Sequence, residues 1–374
     1  MFSIQIKDAT WSNTVMTVQP DDGSGRHGFS QLKFGFSDKG CATCTFLVPR
    51  WGYWESETLK QFYAVDVWVH RRKIWQGRIK RPTTLNTDGL LEVECEGMSA
   101  AWARSGISTG TWTAKKPHEI YDDIITNYRQ CNLVAYNGQL LDPSSTYLIT
   151  KTWQDAKYET VFNEIANFGF DDNCGGEWGI LPGPQNEYIA YPGNIFYWRR
   201  RDMSIIDAVI PFEALDSCQI TADTEEYANT LRVRHSTGYV DVASAASQAE
   251  YTPGANHWAA LSVGGTAADA TRIGNVWLQR HAQPWPKGSI TLGERFWRWY
   301  GFEVPPFSVI AGMNIRIPGL IQARPDLIGT VTDETVYRIM ASDYSVDDGT
   351  NELTLNDYPD NVAILLARQQ AKAA

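Results

Sequence analysis

At 374 residues the chain is long enough for about two or three domains and for a core that needs no disulfide or metal staples. Its 43% hydrophobic and 20% charged residues exclude wholesale disorder, and a formal net charge of −10 argues against a general phosphate-binding surface, which would need clustered Lys and Arg. The 15 Trp and 17 Tyr favour β-rich structure and large packed interfaces.

The first segment, MFSIQIKDATWSN, has no basic stretch followed by an apolar one, so no signal peptide is expected. No window approaches 18 consecutive apolar residues, so no direct membrane span is expected. Cys41, Cys44, Cys95, Cys131, Cys174 and Cys218 are spread too widely for a small disulfide framework, and synthesis in a reducing cytoplasm fits them.

Up to about residue 105 the texture is β. Ser3 to Lys7, Lys33 to Phe36 and Val65 to His70 alternate polar and apolar positions, the period-two signature of half-buried strands. Asp88-Gly89 predicts a hairpin joining a strand over Ile74 to Leu85 with one over Leu91 to Glu96. Between about 110 and 205 the pattern is mixed. Ile120, Ile124 and Tyr128 recur at helical spacing within Lys115 to Gln130, and Val161, Phe162, Ile165 and Phe168 share one helical face within Tyr158 to Phe168. Asn173 to Tyr191, rich in Gly and Pro, reads as a long loop and a candidate partner contact before Ile195 to Trp198 resumes as a strand.

From 206 onward β texture returns. Thr230 to Arg234 reads as a strand, Ala245 to Gly265 as an exposed connection, and Ala267 to His281 as a helix stopped by Pro284. In Ser289 to Gly301, Phe296, Arg298 and Tyr300 alternate with Trp297 and Trp299, which is strand behaviour rather than a platform for bases or sugars. Thr335 to Tyr344 pairs with Glu352 to Asn356 across Asp348-Gly349, and a helix follows from about Asn361 to Gln370. The order Asp-Gly turn, strand, helix occurs after both Gly89 and Gly349, the second copy longer by about one helical turn. This echo is either chance or a sign of two similar β-domains at the two ends of the chain.

Motifs with chemical meaning are weak. Gly106-Ile107-Ser108-Thr109-Gly110 matches a hydrolase nucleophile elbow, but the sequence before it looks helical and Thr111-Trp112-Thr113 opens no helix. Cys41-Ala42-Thr43-Cys44 has metal spacing without a second ligand pair and reads as ordinary strand positions. The six histidines are scattered. Trp198-Arg199-Arg200-Arg201 is the one basic cluster and predicts a solvated strand end or salt bridges to a neighbouring subunit. No residue is assigned to catalysis, to a cofactor or to a metal.

Several segments resemble, in order, the tail hub proteins of long-tailed bacteriophages, also called minor tail or baseplate hub proteins. They are Ala270 to Gly274, Leu278 to Pro284, Gly288 to Gly293, Gly301 to Pro306 and Ile310 to Ile317. The ending Leu353 to Asp360 with Leu365 to Arg368 fits as well, as do Trp75 to Ile79 and Val93 to Gly97. Where the family often has Asp after Ala-Gly, this chain has Met313 and Asn314. The resemblance implies a mainly β fold with α+β insertions and two tail-tube-like β-barrels in one chain. The divisions are 1–109 for the first barrel, 110–205 for an α+β domain and 206–374 for the region with the second barrel, the strand near 230–234 returning to the first.

It further implies a non-enzymatic homotrimer at the virion tail tip that joins a six-fold tail tube or distal tail protein to tip fibre or receptor-binding proteins. Such a hub would contact the tape measure protein and let DNA pass during genome ejection without specific binding. The acidic balance suits a passage that must not hold phosphate. A second reading is a carbohydrate-binding or glycan-degrading tail or cell-wall protein, using exposed Trp for sugar rings and a pair of carboxylates for cleavage; the absence of short regular repeats counts against a β-helix spike.

Overall fold

The computed structural model describes all residues except 12, 22–27, 50–58, 81–83, 86–88, 104–105, 129–133, 136–139, 183–184, 187–188, 191–193, 223–226, 252–255, 284, 294–296, 300–301, 328–330 and 357–374. It is mainly β, with antiparallel ladders dominant and helices inserted between them. The first unit comprises β1 (Phe2–Lys7), β2 (Thr14–Val18), β3 (Ser30–Ser37), β4 (Gly40–Pro49), β5 (Ala64–Val69), β6 (Arg72–Ile79), β7 (Thr84–Leu85) and β8 (Leu90–Gly97). They pair antiparallel in the order β2-β1-β5-β6-β8-β4-β3, with β7 also on β8. The alternation read from the sequence sends Ile4, Ile6, Phe34, Val65, Val67 and Val93 into one core around Trp75. Of the strand expected over Ile74 to Leu85, the described residues form two pieces, the end of β6 up to Ile79 and β7.

The middle holds β9 (Gly106–Lys115), β10 (Val134–Ala135), β11 (Ile149–Lys157), β12 (Gly176–Pro182), β13 (Gln185–Asn186), β14 (Ile189–Ala190) and β15 (Asn194–Arg200). Both expected helices form. One runs Pro117–Asp123 and continues as a π turn over Ile124–Tyr128; proline opens it and the Glu119 carboxylate accepts from the Lys116 N–H at 3.0 Å. The other is Tyr158–Phe168, which buries Val161, Phe162, Ile165 and Phe168.

The loop expected over Asn173 to Tyr191 is mostly strand: β12 is buried from Gly176 to Ile180 and pairs with β15 along its length, and β13 pairs with β14. Its glycines mark ring packing, not a loop. A Cβ at Gly176 would lie 1.8 Å from the Trp198 ring, and one at Gly179 would lie 2.3 Å from the Tyr197 hydroxyl.

The last part adds β16 (Ala208–Val209), β17 (Leu215–Ala222), β18 (Thr230–His235), β19 (Gly238–Ala243), β20 (Trp258–Ser262), β21 (Pro286–Leu292), β22 (Trp297–Trp299), β23 (Phe302–Val304), β24 (Asn314–Arg316), β25 (Val336–Ser345) and β26 (Thr350–Leu355). Strand β18 does not return to the first sheet. It lies between β19 and β20, and Leu231 and Val233 pack into the middle core with Ile273 and Trp277 of the helix Ala267–His281. That helix has the expected bounds, set by Thr266 and Asp269 capping each other's backbone N–H groups at 3.2 and 2.8 Å. The connection expected over Ala245 to Gly265 instead contains the helix Ala245–Tyr251 and strand β20.

Strands β17, β21, β26 and β25 form an antiparallel ladder over a third core, with β24 and β16 beyond β25. The hairpin expected across Asp348-Gly349 is β25 to β26. The strand read in the alternating run is present over its described residues, Trp297–Trp299, which pair antiparallel with Phe302–Val304. The expected helix over Asn361 to Gln370 lies outside the described residues. Strand β25 also pairs with β3, so the β units at the two ends of the sequence share one continuous ladder, and no described sheet closes as a barrel. No described helix is long and apolar enough to cross a membrane.

Candidate functional site

The motifs that could have carried catalysis sit in regular structure. Gly106 to Gly110 opens strand β9, directly paired with β11, so Ser108 is not on a strand-to-helix elbow. Cys41 and Cys44 are buried on β4, with Cys44 opposite Cys95 of β8. Burial pushes the Cys41 thiol up to about 12, which leaves no reactive thiolate near neutral pH. Among the described residues no group of His, Cys, Asp and Glu could hold a metal ion.

What the structure does build is a joint between the middle of the chain and the last β unit. Arginines 199 to 201, expected to meet solvent or another subunit, find their counter-charges within the chain. Arg200 pairs with Asp172, and Arg199 donates to Glu177 of β12. The same carboxylate, 3% exposed, accepts from Arg338 of β25 and lies 3.6 Å from Arg201 Nε. Burial alone would raise the pKa of Glu177, but Arg338, Arg199 and Arg201 outweigh it and hold the carboxyl below its usual range.

Arg338 is held in turn. Its Nη1 donates to Asn314 Oδ1 at 2.9 Å, and its backbone N–H donates to Asn356 Oδ1 at 2.7 Å. Asn314 Nδ2 donates to the carbonyls of Asp202 and Ile205 at 2.7 and 2.8 Å, and its N–H donates to Asp207 Oδ2 at 2.8 Å. An aspartate at 314 could accept from Arg338 but could not donate to the two carbonyls, so the amide fits this joint. The cluster has its valences turned on itself and offers no nucleophile; chemically it is a clamp.

The second link is the seam between β3 and β25, from Ser37 opposite Ala341 to Lys33 opposite Ser345. It is extended by Val346 N–H donating to Leu32 O and Gln31 N–H donating to Asp347 Oδ2, both at 2.9 Å. Tyr344 crosses the seam into the first core, its ring centroid 5.4 Å from Phe34 and 6.0 Å from Phe2. Such ring pairs contribute about 0.5–1.5 kcal/mol each beyond their buried area.

Asn314 stood out in the sequence only as a departure from the Asp common in the resembling family, and Glu177, Arg338 and Asn356 were not singled out. The available signal was the arginine run: three adjacent guanidinium groups in an acidic chain need acceptors, and Glu177 stood in a stretch read as loop.

No protein-family model matches the sequence, and no curated protein matches it. Among solved structures the chain is similar to a tail protein from Neisseria meningitidis, 11% identical with a TM-score of 0.59 over 95% of each chain. It is similar to the 43 kDa tail protein of a prophage from Shewanella oneidensis, 9% identical with a TM-score of 0.60 over 95% of this chain and 97% of that one. A prophage tail protein from Listeria monocytogenes is 11% identical with a TM-score of 0.56 over 100% of this chain and 99% of that one. The chain has the fold of these tail proteins over nearly its whole length, as the resemblance to phage tail proteins implied.

Proposed function

We propose that the chain is a structural virion protein that forms the hub at the distal tip of a phage tail. The observation that carries this reading is the edge-to-edge pairing of two β units from opposite ends of one chain, in a fold common to tail proteins. In this reading the β units of 1–109 and 206–374 are tube-like barrels in the assembled particle. The mixed region 110–205 lies between them, together with core residues from Ala228 to Leu278. A homotrimer then presents six similar β units, which lets a three-fold tip meet a six-fold tail tube or distal tail protein.

Its other contacts would be the tape measure protein and the tip fibre or receptor-binding proteins. Its work is interface packing and passage of DNA without catalysis, and the net charge of −10 favours a lumen that repels phosphate. Light scattering on the purified full chain tests the assembly and labelled electron microscopy of intact tails tests the location; a trimer found at the distal tip is expected. A stable monomer with no place in the particle would overturn the reading.

A further inference from the structure

The helix Ala245–Tyr251, the exposed side of the helix Ala267–His281 and the turn at Asp172 and Asn173 enclose an open cleft of about 300 Å³, at the small end of the range for ligand sites. Asn275 and Gln279, one helical turn apart, line one wall, and Gln283 continues that wall past the helix end. Asn173 lines the cleft from the turn. Among the described residues none hydrogen-bonds the side-chain amides of these four. Tyr251, 40% exposed, stands on the other wall. It is braced edge to face by Tyr227 at 6.0 Å, whose hydroxyl lies 2.9 Å from Ser247 Oγ in the cleft lining. Leu278 and Ala282 are buried at its base.

We propose that this cleft binds a neutral oligosaccharide. A carboxamide both donates and accepts, which matches a sugar hydroxyl, and four of them converge here beside one exposed, braced aromatic ring on which the C–H face of a pyranose can stack. The described lining has no Lys or Arg, and its carboxylates are Glu250 and Asp172, the latter paired with Arg200, so nothing in the lining attracts a sulfated, phosphorylated or uronic acid chain, or nucleic acid. The two carboxylates do not make a metal site, since no described cluster reaches three ligating groups. This site stands apart from the hub reading: it does not use the seam, and it meets the charged joint only at Asp172, the partner of Arg200.

The test is a calorimetric and saturation-transfer NMR titration of the full chain with maltohexaose, cellohexaose and chitohexaose, and with a sulfated oligosaccharide as the charged counterpart. Binding of one or more of the three neutral chains is expected with a dissociation constant on the order of 1 mM or tighter. Tyr251→Ala and Gln279→Ala should each weaken it about tenfold, or about 1.4 kcal/mol, whereas Tyr251→Phe keeps it. Unchanged thermal melts check that these surface variants fold. No binding of any neutral chain, equal binding of the sulfated chain, or binding that survives both alanine variants overturns the assignment. A trimer that binds none of them removes this site while leaving the tail role standing.

Discussion

Lys73 on β6 is 3% exposed, and among the described residues no hydrogen-bond partner meets its Nζ. The neighbouring Asp66 is already engaged by Lys7 at 2.7 Å and by the Gln76 amide. Burial lowers the pKa of Lys73, and the attraction of Asp66 only partly restores it. The unfolded chain, with lysine near its usual ~10.4, then binds more protons than the folded one between the two pKa values. Stability from this position therefore rises as pH climbs from the lowered value toward ~10.4. Lys73→Met keeps the apolar stem and removes the amine, so the variant should be more stable by about 1–3 kcal/mol near neutral pH, the desolvation cost of an unmet polar group. The gain should shrink toward pH ~10. Urea melts of both proteins across that interval measure it, and a less stable variant would mean that the amine is satisfied in the native state.

At the scale of elements, the seam depends on close approach. Gly35 of β3 faces Asp343 of β25, and a Cβ there would sit 2.2 Å from Asp343 Oδ1 and 2.9 Å from the Ser342 carbonyl. Gly35→Val should cost about 1–3 kcal/mol as an overpacked contact. Hydrogen exchange should show Lys33–Ser37 and Ala341–Ser345 losing protection together while the helix Tyr158–Phe168 keeps its own. Loss confined to β3 would mean that the two strands are neighbours and not one cooperative unit.

The elements themselves were largely legible in the sequence. The helix Tyr158–Phe168 carries a clear 3.6 period, the helix Ala267–His281 starts at a capping pair, and the β25 to β26 hairpin carries Asp-Gly between alternating runs. Strand β12 was not, because it is buried on both faces and so loses its alternation, while rings on β15 force glycine into two of its positions. The seam was not legible either: nothing local in Lys33–Ser37 names a partner at Ala341–Ser345, and the charged joint follows only once β12, β15 and β25 are brought together.

For the molecule as a whole, the two links respond to acid in opposite ways. The joint rests on the Glu177 carboxylate, whose folded pKa is depressed; its contribution is complete above the usual ~4.3 and is lost as pH falls through the folded value. Breaking a buried pair of this kind costs about 3–5 kcal/mol, because the remaining charges stay buried without their counterpart. The seam rests on backbone hydrogen bonds that do not titrate. Beside them, burial and then Glu352 raise the pKa of Asp343, so its contribution is complete below the usual ~3.9 and is lost as pH rises.

Acid should therefore loosen the middle unit from the last β unit first, while β3 and β25 stay paired. Hydrogen exchange corrected for intrinsic rates, followed from pH ~7 down to ~3, should show protection falling around β12, β15 and β24 before it falls along β3 and β25. Glu177→Gln removes the charge without removing the shape, so the same loosened pattern should appear near neutral pH and change little on acidification. If both links open together in the wild-type chain, or the seam opens first, the joint is not the acid-sensitive connection and Glu177 serves local packing alone.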